Sequence, residues 1–291
     1  MRTTDSGAVL VTGASSGLGR AAALHLAARG LRVYAGVRND TAAEELRTAA
    51  GGGRLTALRL DVTDADSVAA ARDAVASELG AGSLRGVVNN AGICVSAPVE
   101  CLALEDLRQQ LEVNLVGVVA VTQAFLPLLR AAAPGGGGPA GRLVNVSSGV
   151  GRVAGPFLGA YAAAQFAKEG LSDSLRRELA GTGVAVSVIE PGAIATPIWD
   201  KVAATADRVL AAAPADVAAL YRAPFTRFVA RNESAARSAA TTPGQFARAV
   251  EHALTSPRPR TRYRVGRDAA AASLAARLLP DRLLDRVLAA G

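Results

Sequence analysis

The chain alternates short apolar runs with longer stretches in which apolar residues recur every three or four positions. Ala8–Thr12 reads as a buried strand, and the alanine-rich Leu18–Arg29 as a helix. Leu31–Val37 predicts a second strand and Thr41–Ala50 a second helix. Leu55–Leu60, Asp64–Leu79 and Leu84–Asn89 repeat strand, helix and strand. A long helical stretch near Leu104–Ala132 follows, then a strand at Arg142–Val146, a helix at Leu158–Ala180 and a strand at Val184–Ile189. Strands that alternate with helices imply a parallel sheet with right-handed crossovers, an α/β doubly wound fold. Gly135–Gly138 reads as a turn between helix and strand, not a domain linker, so the chain is expected to form one domain.

Residues 195–244 break the alternation. They hold Trp199, Tyr221, Phe225 and Phe228 among helix-forming alanines. Such an insertion forms either a lid over the carboxyl edge of the sheet, where open α/β sheets bind ligands, or an ordinary packed helical pair. Arg262–Val265 looks like a late edge strand. In the tail, 268–291, apolar residues over Leu274–Leu288 fall near helical spacing with Arg277, Asp281, Arg282 and Asp285 between them. The tail could pack on the protein, form a subunit contact or touch a membrane. Its mixed charge favours packing.

Composition narrows the class. Of 291 residues 50% are hydrophobic and 20% charged, with a mean hydropathy of +0.25, which excludes a disordered chain. Two cysteines cannot staple a secreted scaffold of this length. No run of about 20 apolar residues stands out, so no membrane span is expected. The start, Met1-Arg2-Thr3-Thr4-Asp5, lacks a signal-peptide pattern, and a cytoplasmic location is the expectation. The net charge of +7 comes from 32 basic against 25 acidic residues, yet only Lys168 and Lys201 are lysines. The arginines are dispersed and aromatics make up 4%, so no nucleic-acid partner is expected. Even the cluster Arg258, Arg260, Arg262 and Arg264 reads as a solvated strand edge. Cys94, Cys101, His25 and His252 show no metal-ligand or triad spacing, so no metal is expected.

The first strand runs into Thr12-Gly13-Ala14-Ser15-Ser16-Gly17-Leu18-Gly19. Glycines at 13, 17 and 19, where a strand turns into a helix, let the backbone approach a pyrophosphate at a helix N-terminus. Further along stand Asp61-Val62 after the third strand, Asn89-Asn90-Ala91-Gly92 after the fourth and Asn114 in the long helix. Ser147-Ser148 follow the fifth strand, Tyr161 lies thirteen residues after Ser148, and Pro191-Gly192, Ile194 and Thr196 follow the sixth. In spacing and order these residues, over 8–197, resemble the classical short-chain dehydrogenase/reductase family.

The resemblance implies a Rossmann-type sheet of order 3-2-1-4-5-6-7 and pairing into a homo-dimer or homo-tetramer through the long fifth and sixth helices. It places a nicotinamide dinucleotide against Gly13, Ser15, Ser16, Gly17, Leu18, Gly19, Asp61, Val62, Asn89, Ala91, Gly92, Tyr161, Pro191, Gly192, Ile194 and Thr196. Tyr161 would transfer the proton while hydride moves, Ser148 would hold the substrate oxygen and Asn114 would hold a relaying water. One position departs. Where the family carries a ribose-binding lysine four residues after the tyrosine, this chain has Gln165, giving YxxxQ. Gln165 can still bond ribose hydroxyls but carries no charge to depress the tyrosine pKa. Lys168, seven residues from Tyr161, lies about 10.5 Å along a helix axis and is expected to be an exposed or interface lysine.

The second strand ends Gly36-Val37-Arg38-Asn39, with no acid to take a ribose 2′-hydroxyl until Asp40. Arg38 suits a 2′-phosphate, so NADP(H) is favoured over NAD(H). Three activities stay open: carbonyl or alcohol redox with reduction favoured, reduction of an imine or iminium that needs little acid help, and a non-redox or binding role on the same scaffold. The aromatic insertion and few charges nearby suggest a small apolar substrate.

Overall fold

The computed structural model describes residues 7–80, 82–132 and 141–290, so the glycine-rich turn read at 135–138 and the first residues lie outside the described ones. Branched aliphatic residues dominate the central strands, which are buried on both faces as interior parallel strands are, whereas the two edge strands are only partly covered. They are β1 (Ala8–Val11), β2 (Arg32–Val37), β3 (Leu55–Arg59), β4 (Leu84–Asn89), β5 (Gly141–Val146), β6 (Val184–Pro191) and β7 (Arg262–Val265). All pairs are parallel, in the order β3-β2-β1-β4-β5-β6-β7, as the resemblance implied. The order reverses beside β1, which opens a crevice at the carboxyl ends of β1 and β4.

Helices cover both faces. One core joins the sheet to α1 (Gly17–Ala28), α2 (Asp40–Ala50) and α9 (Pro243–Thr255), through Leu26, Leu46, Phe246, Val250 and Leu254. The other joins it to α3 (Ala65–Leu79), α5 (Gly117–Arg130) and α6 (Gly159–Glu178), through Val68, Val75, Phe125, Leu129 and Leu175. Caps start several of these helices: the Asn39 side chain accepts from Ala42 N, and Asp64 accepts from Asp66 N and Ser67 N.

The long helical stretch is real but interrupted. It consists of α4 (Leu104–Leu111), a π-turn over Glu112–Val116, and α5. Leu104–Arg130 contains an 18-residue window, of mean hydropathy 1.6, apolar enough to cross a membrane by length and composition alone. That corrects the reading that no such stretch exists. Here α5 packs on β4, β5 and α3, as a core helix does.

Residues 195–244 form α7 (Ile198–Ala212) and α8 (Ala215–Arg237), which pack on each other through Ala206, Leu210 and Phe225. Pro280 divides the tail into α10 (Arg267–Leu278) and α11 (Asp281–Ala290). The tail is only partly covered: Ala269 and Ser273 are buried, whereas Leu274, Leu278, Leu283 and Val287 are exposed.

Candidate active site

A cavity of about 1430 Å³ lies over the carboxyl ends of β1, β4, β5 and β6. Its floor begins at the glycine loop. Gly13 has φ of +64°, and a Cβ there would stand 2.8 Å from the Ala91 Cα. Thr12 ties the two loops together, its hydroxyl accepting from Asn90 N and Ala91 N, each at 3.0 Å. Asn90 Nδ2 donates back to the Thr12 and Gly13 carbonyls at 3.0 and 3.2 Å. Ser16 caps α1 without a side-chain bond, and no acid stands in the first turn. The amides there are left to attract an anion.

Ser15, Ser16, Gly17, Leu18 and Gly19 line this end of the cavity, as do Arg38, Asp61, Val62, Ala91 and Gly92. Burial pushes the Asp61 carboxyl up, but bonds from Thr63 N at 3.0 Å and Thr63 Oγ1 at 2.7 Å, with the Arg38 charge, hold it below its ordinary value. Asn89 is a correction. It does not line the cavity: its Nδ2 donates to Thr122 Oγ1 and Asn145 Oδ1 at 3.1 and 2.9 Å, which locks β4 to β5 and α5. Its neighbour Asn90, part of the same motif but given no cofactor contact from the sequence, lines the cavity instead.

The other end gathers the reacting groups. Ser148 Oγ accepts from Val150 N at 3.2 Å, which sets the turn after β5. Tyr161 stands in the first turn of α6, and Gln165 Nε2 donates to its hydroxyl at 2.9 Å. Burial pushes the Tyr161 hydroxyl up to about 12, with the Cys94 thiol adding to the shift and hydrogen bonds to Ser148 and Gln165 opposing it. Cys94 is itself pushed up to about 12 by burial, so it is a thiol and not a thiolate nucleophile.

Asn114 sits in the π-turn, a bulge that re-aims side chains inside a helix. Its amide is tied at both ends to one residue: Oδ1 accepts from Ile93 N at 2.9 Å and Nδ2 donates to Ile93 O at 3.0 Å. Gln110 adds a second clamp, accepting from Val95 N at 2.7 Å and donating to Ile93 O at 2.9 Å. Together they hold the loop that continues from Gly92.

Pro191, Gly192, Ile194 and Thr196 line the wall after β6. Asp268, from α10, accepts from Ala193 N at 2.6 Å and also lines the cavity. An acid in the first turn of a tail helix was the only sequence signal for it. Phe157, at φ of +60°, is a strained residue that packs against Phe225 and Phe228 of α8, with ring centroids 5.1 and 5.4 Å away. Its carbonyl accepts from Ala97 N and Ser96 Oγ. It thereby joins the loop beyond β4 to α8.

Two further expectations change. The cavity is not poor in charge. Arg208 lines it and donates from Nη2 to both carboxylate oxygens of Asp106, at 2.9 and 3.0 Å, and Arg227 and Arg231 of α8 line it too. Lys168 is neither exposed nor at an interface: it is 2% exposed, lines the cavity, and donates from Nζ to Val146 O at 3.0 Å.

A glycine-turned helix N-terminus at a sheet switch point, leading to a buried tyrosine and serine, defines a nicotinamide-dinucleotide oxidoreductase site. The fit is physical: open amides at α1, a glycine loop that Gly13 lets lie directly against Ala91, and a buried Gln165 Oε1 without a partner among the described residues. The comparisons agree. Residues 7–207 match the short chain dehydrogenase family model, and the chain belongs to that family. It is similar to 3-amino-tetrahydro-pyrrolizinone reductase of Xenorhabdus hominickii, 41% identical over 90% of this chain and 87% of that one. It is also similar to 17-beta-hydroxysteroid dehydrogenase type 6 of Bos taurus, 40% identical over 96% and 87%. A short-chain dehydrogenase structure from Streptomyces avermitilis superposes with a TM-score of 0.75, at 28% identity over 97% of this chain and 93% of that one.

Proposed function

We propose that the protein is an NADP(H)-linked reductase of a small carbonyl compound. The observation that carries this reading is Tyr161. Its hydroxyl stays protonated far above neutral pH, faces the cavity beside Ser148, and is therefore a donor ready for the oxygen of a carbonyl being reduced. A bound nicotinamide supplies the hydride. Ser148 holds the substrate oxygen, Tyr161 gives it a proton, and Gln165 turns its amide nitrogen to the tyrosine while its free Oε1 accepts from a ribose hydroxyl. The Gly13–Gly19 loop and the first turn of α1 hold the pyrophosphate, and Thr196 with Ile194 holds the nicotinamide end. Asn114 fixes the Ile93 loop against this wall.

Arg38 supports NADP(H). It lines the cavity where β2 ends, no acid competes for a ribose hydroxyl there, and Asp61 is already bonded to Thr63. We read α7 and α8 as a lid within one domain. Phe157, Trp199 and Phe228 give the substrate end an apolar wall, and Arg227 and Arg231 meet whatever polar end the substrate carries. Half-exposed Val116 and Phe166, on the long helices, support a homo-oligomer paired there.

Gln165 favours a second reading. It leaves Tyr161 without a cation at the fourth residue, a loss that an iminium, already protonated, tolerates. The relative named a 3-amino-tetrahydro-pyrrolizinone reductase agrees with reduction as the direction. NADPH and NADH titrations by fluorescence, followed by turnover of a ketone and its matching imine, test both. Tighter NADH binding would remove the NADP(H) assignment. No NADPH oxidation with either substrate class would remove the reductase reading.

A further inference from the structure

Helical arginines of this protein often pair with an acid one turn away: Arg47 with Glu44, Arg108 with Glu105, Arg176 with Asp173 and Arg237 with Glu233. Arg227 and Arg231 of α8 differ. Neither has an ion pair or hydrogen bond among the described residues, and each has the other four residues away. Like charges at i, i+4 repel, so the helix gains nothing from this pair alone. The acids that bond to α7 and α8 are engaged elsewhere: Asp106 by Arg208, Glu100 by the Tyr221 hydroxyl and Glu233 by Arg237.

The residues of α8 that line the cavity are Pro224, Arg227, Phe228, Arg231, Asn232 and Ala235, spaced three and four apart as one stripe of a helix is. Phe228 fixes which end of the cavity this stripe meets. Its ring packs on Phe157 with centroids 5.4 Å apart, and Phe157 stands four residues before Tyr161. The two arginines therefore stand at the substrate end and not at the glycine loop, beside the apolar wall of Phe157, Trp199 and Phe228.

We propose that Arg227 and Arg231 form an anion-binding subsite for the substrate, and that the carbonyl compound reduced here is amphipathic. It carries a carbonyl at one end, an apolar spacer, and an oxyanion (carboxylate or phosphate) at the other. The inference rests on α7 and α8 being the substrate lid. A guanidinium presents a planar fork of N–H donors that fits two oxygens of either group, and two forks one turn apart can close on one oxyanion. An anion held there also offsets the repulsion that the helix carries without it. Both arginines are exposed at the mouth of the cavity, so the attraction weakens with salt.

Trp199, the one tryptophan of the chain, lines the same cavity and reports binding without cofactor or turnover. Its fluorescence is titrated with a medium-chain methyl-ketone carboxylic acid, its methyl ester, and its phosphate and amine counterparts. At least one anion is expected to bind about tenfold tighter than the ester at low salt, with the margin shrinking as salt is added; the tighter anion names the head group. With Arg227→Ala and Arg231→Ala together, anions and ester are expected to bind alike. Arg227→Lys with Arg231→Lys keeps a margin, and Arg227→Glu with Arg231→Glu turns the preference to the amine. Anions and ester bound alike by the parent protein would overturn the proposal. A margin that survives the alanine pair would overturn it too, and a weakened NADPH in that pair would hand the arginines to the cofactor. Should the alanine pair bind no ligand, the glutamate pair decides, and a lasting preference for the anion there overturns the idea. Failure of the reductase reading would look different: Trp199 reports the same margin while the keto acid drives no NADPH oxidation.

Discussion

Replacing Lys168 by Met tests the burial of this lysine through stability alone. In the folded protein the side chain is 2% exposed and its pKa is lowered to about 8; unfolded, it returns to its ordinary 10.5. The native state therefore binds fewer protons than the unfolded one between these values, and stability rises with pH across that window. Below pH 8 both states are protonated and the cost of burying the charge is fully felt. A gap of two to three pH units corresponds to about 3 kcal/mol at 1.36 kcal/mol per unit. Methionine fills similar volume without charge but abandons the bond to Val146 O, which costs about 1 kcal/mol. The variant is thus expected to be more stable at pH 7 by about 2 kcal/mol, or several degrees in melting temperature. Urea denaturation of both proteins from pH 6.5 to 10.5 reads the difference directly, because the other titrations cancel. The advantage is expected to shrink above pH 8 and to vanish or reverse by pH 10.5. A difference that stays constant with pH would mean that Lys168 titrates like a solvated lysine, and the reasoning would fail.

Three other outcomes are expected. Arg38→Ala should weaken NADPH by roughly 10- to 100-fold, the worth of about 1.5–3 kcal/mol for charge-assisted bonds, and leave NADH within twofold; equal losses in a fluorescence titration would refute the phosphate role. Gln165→Lys places a cation four residues after Tyr161 and should bring its ionisation down from about 12. Alcohol oxidation at pH 8 should then gain about tenfold for each pH unit by which the tyrosine pKa falls; an unchanged rate would refute the compromised-base account. Arg262→Met removes the bonds to Glu169, Asp173 and Glu190 and leaves two buried carboxylates short of a partner, a loss of about 3–5 kcal/mol in urea denaturation at pH 7. Because burial and crowding by Glu190 already hold the Glu169 pKa up, that loss should narrow as the pH falls and the carboxyl protonates.

The frame of the protein was legible because its signals are local. Apolar runs of strand length at β1, β2, β4, β5 and β6 match the observed strands to within two residues, and the glycine loop folds where strand-to-helix spacing put it. What stayed hidden depends on contacts between distant segments. Asn89 and Asn90 are adjacent and identical in type, yet the pleat sends one into a buried bond with Asn145 and the other to the glycine loop. Asp268 reaches the wall after β6 only because β7 pairs with β6 and delivers α10 there. The π-turn at Asn114 has no pattern of its own in an apolar helix. The arginines of α8 were counted with a dispersed excess, although helix pairing turns Arg227 and Arg231 toward one cavity.

Lys168 shows how a correct spacing argument can mislead. Seven residues do put it two turns from Tyr161 along the axis, but a rise is measured between backbone positions. Helical side chains lean toward the N-terminus, and a lysine carries its charge on a four-carbon stem. The lean and the stem together recover much of a turn, and they bring Nζ to Val146 O, just before Ser147 and Ser148. That carbonyl, and not the Tyr161 hydroxyl, is where the ammonium is held, and of the two residues it is Gln165 that bonds the tyrosine.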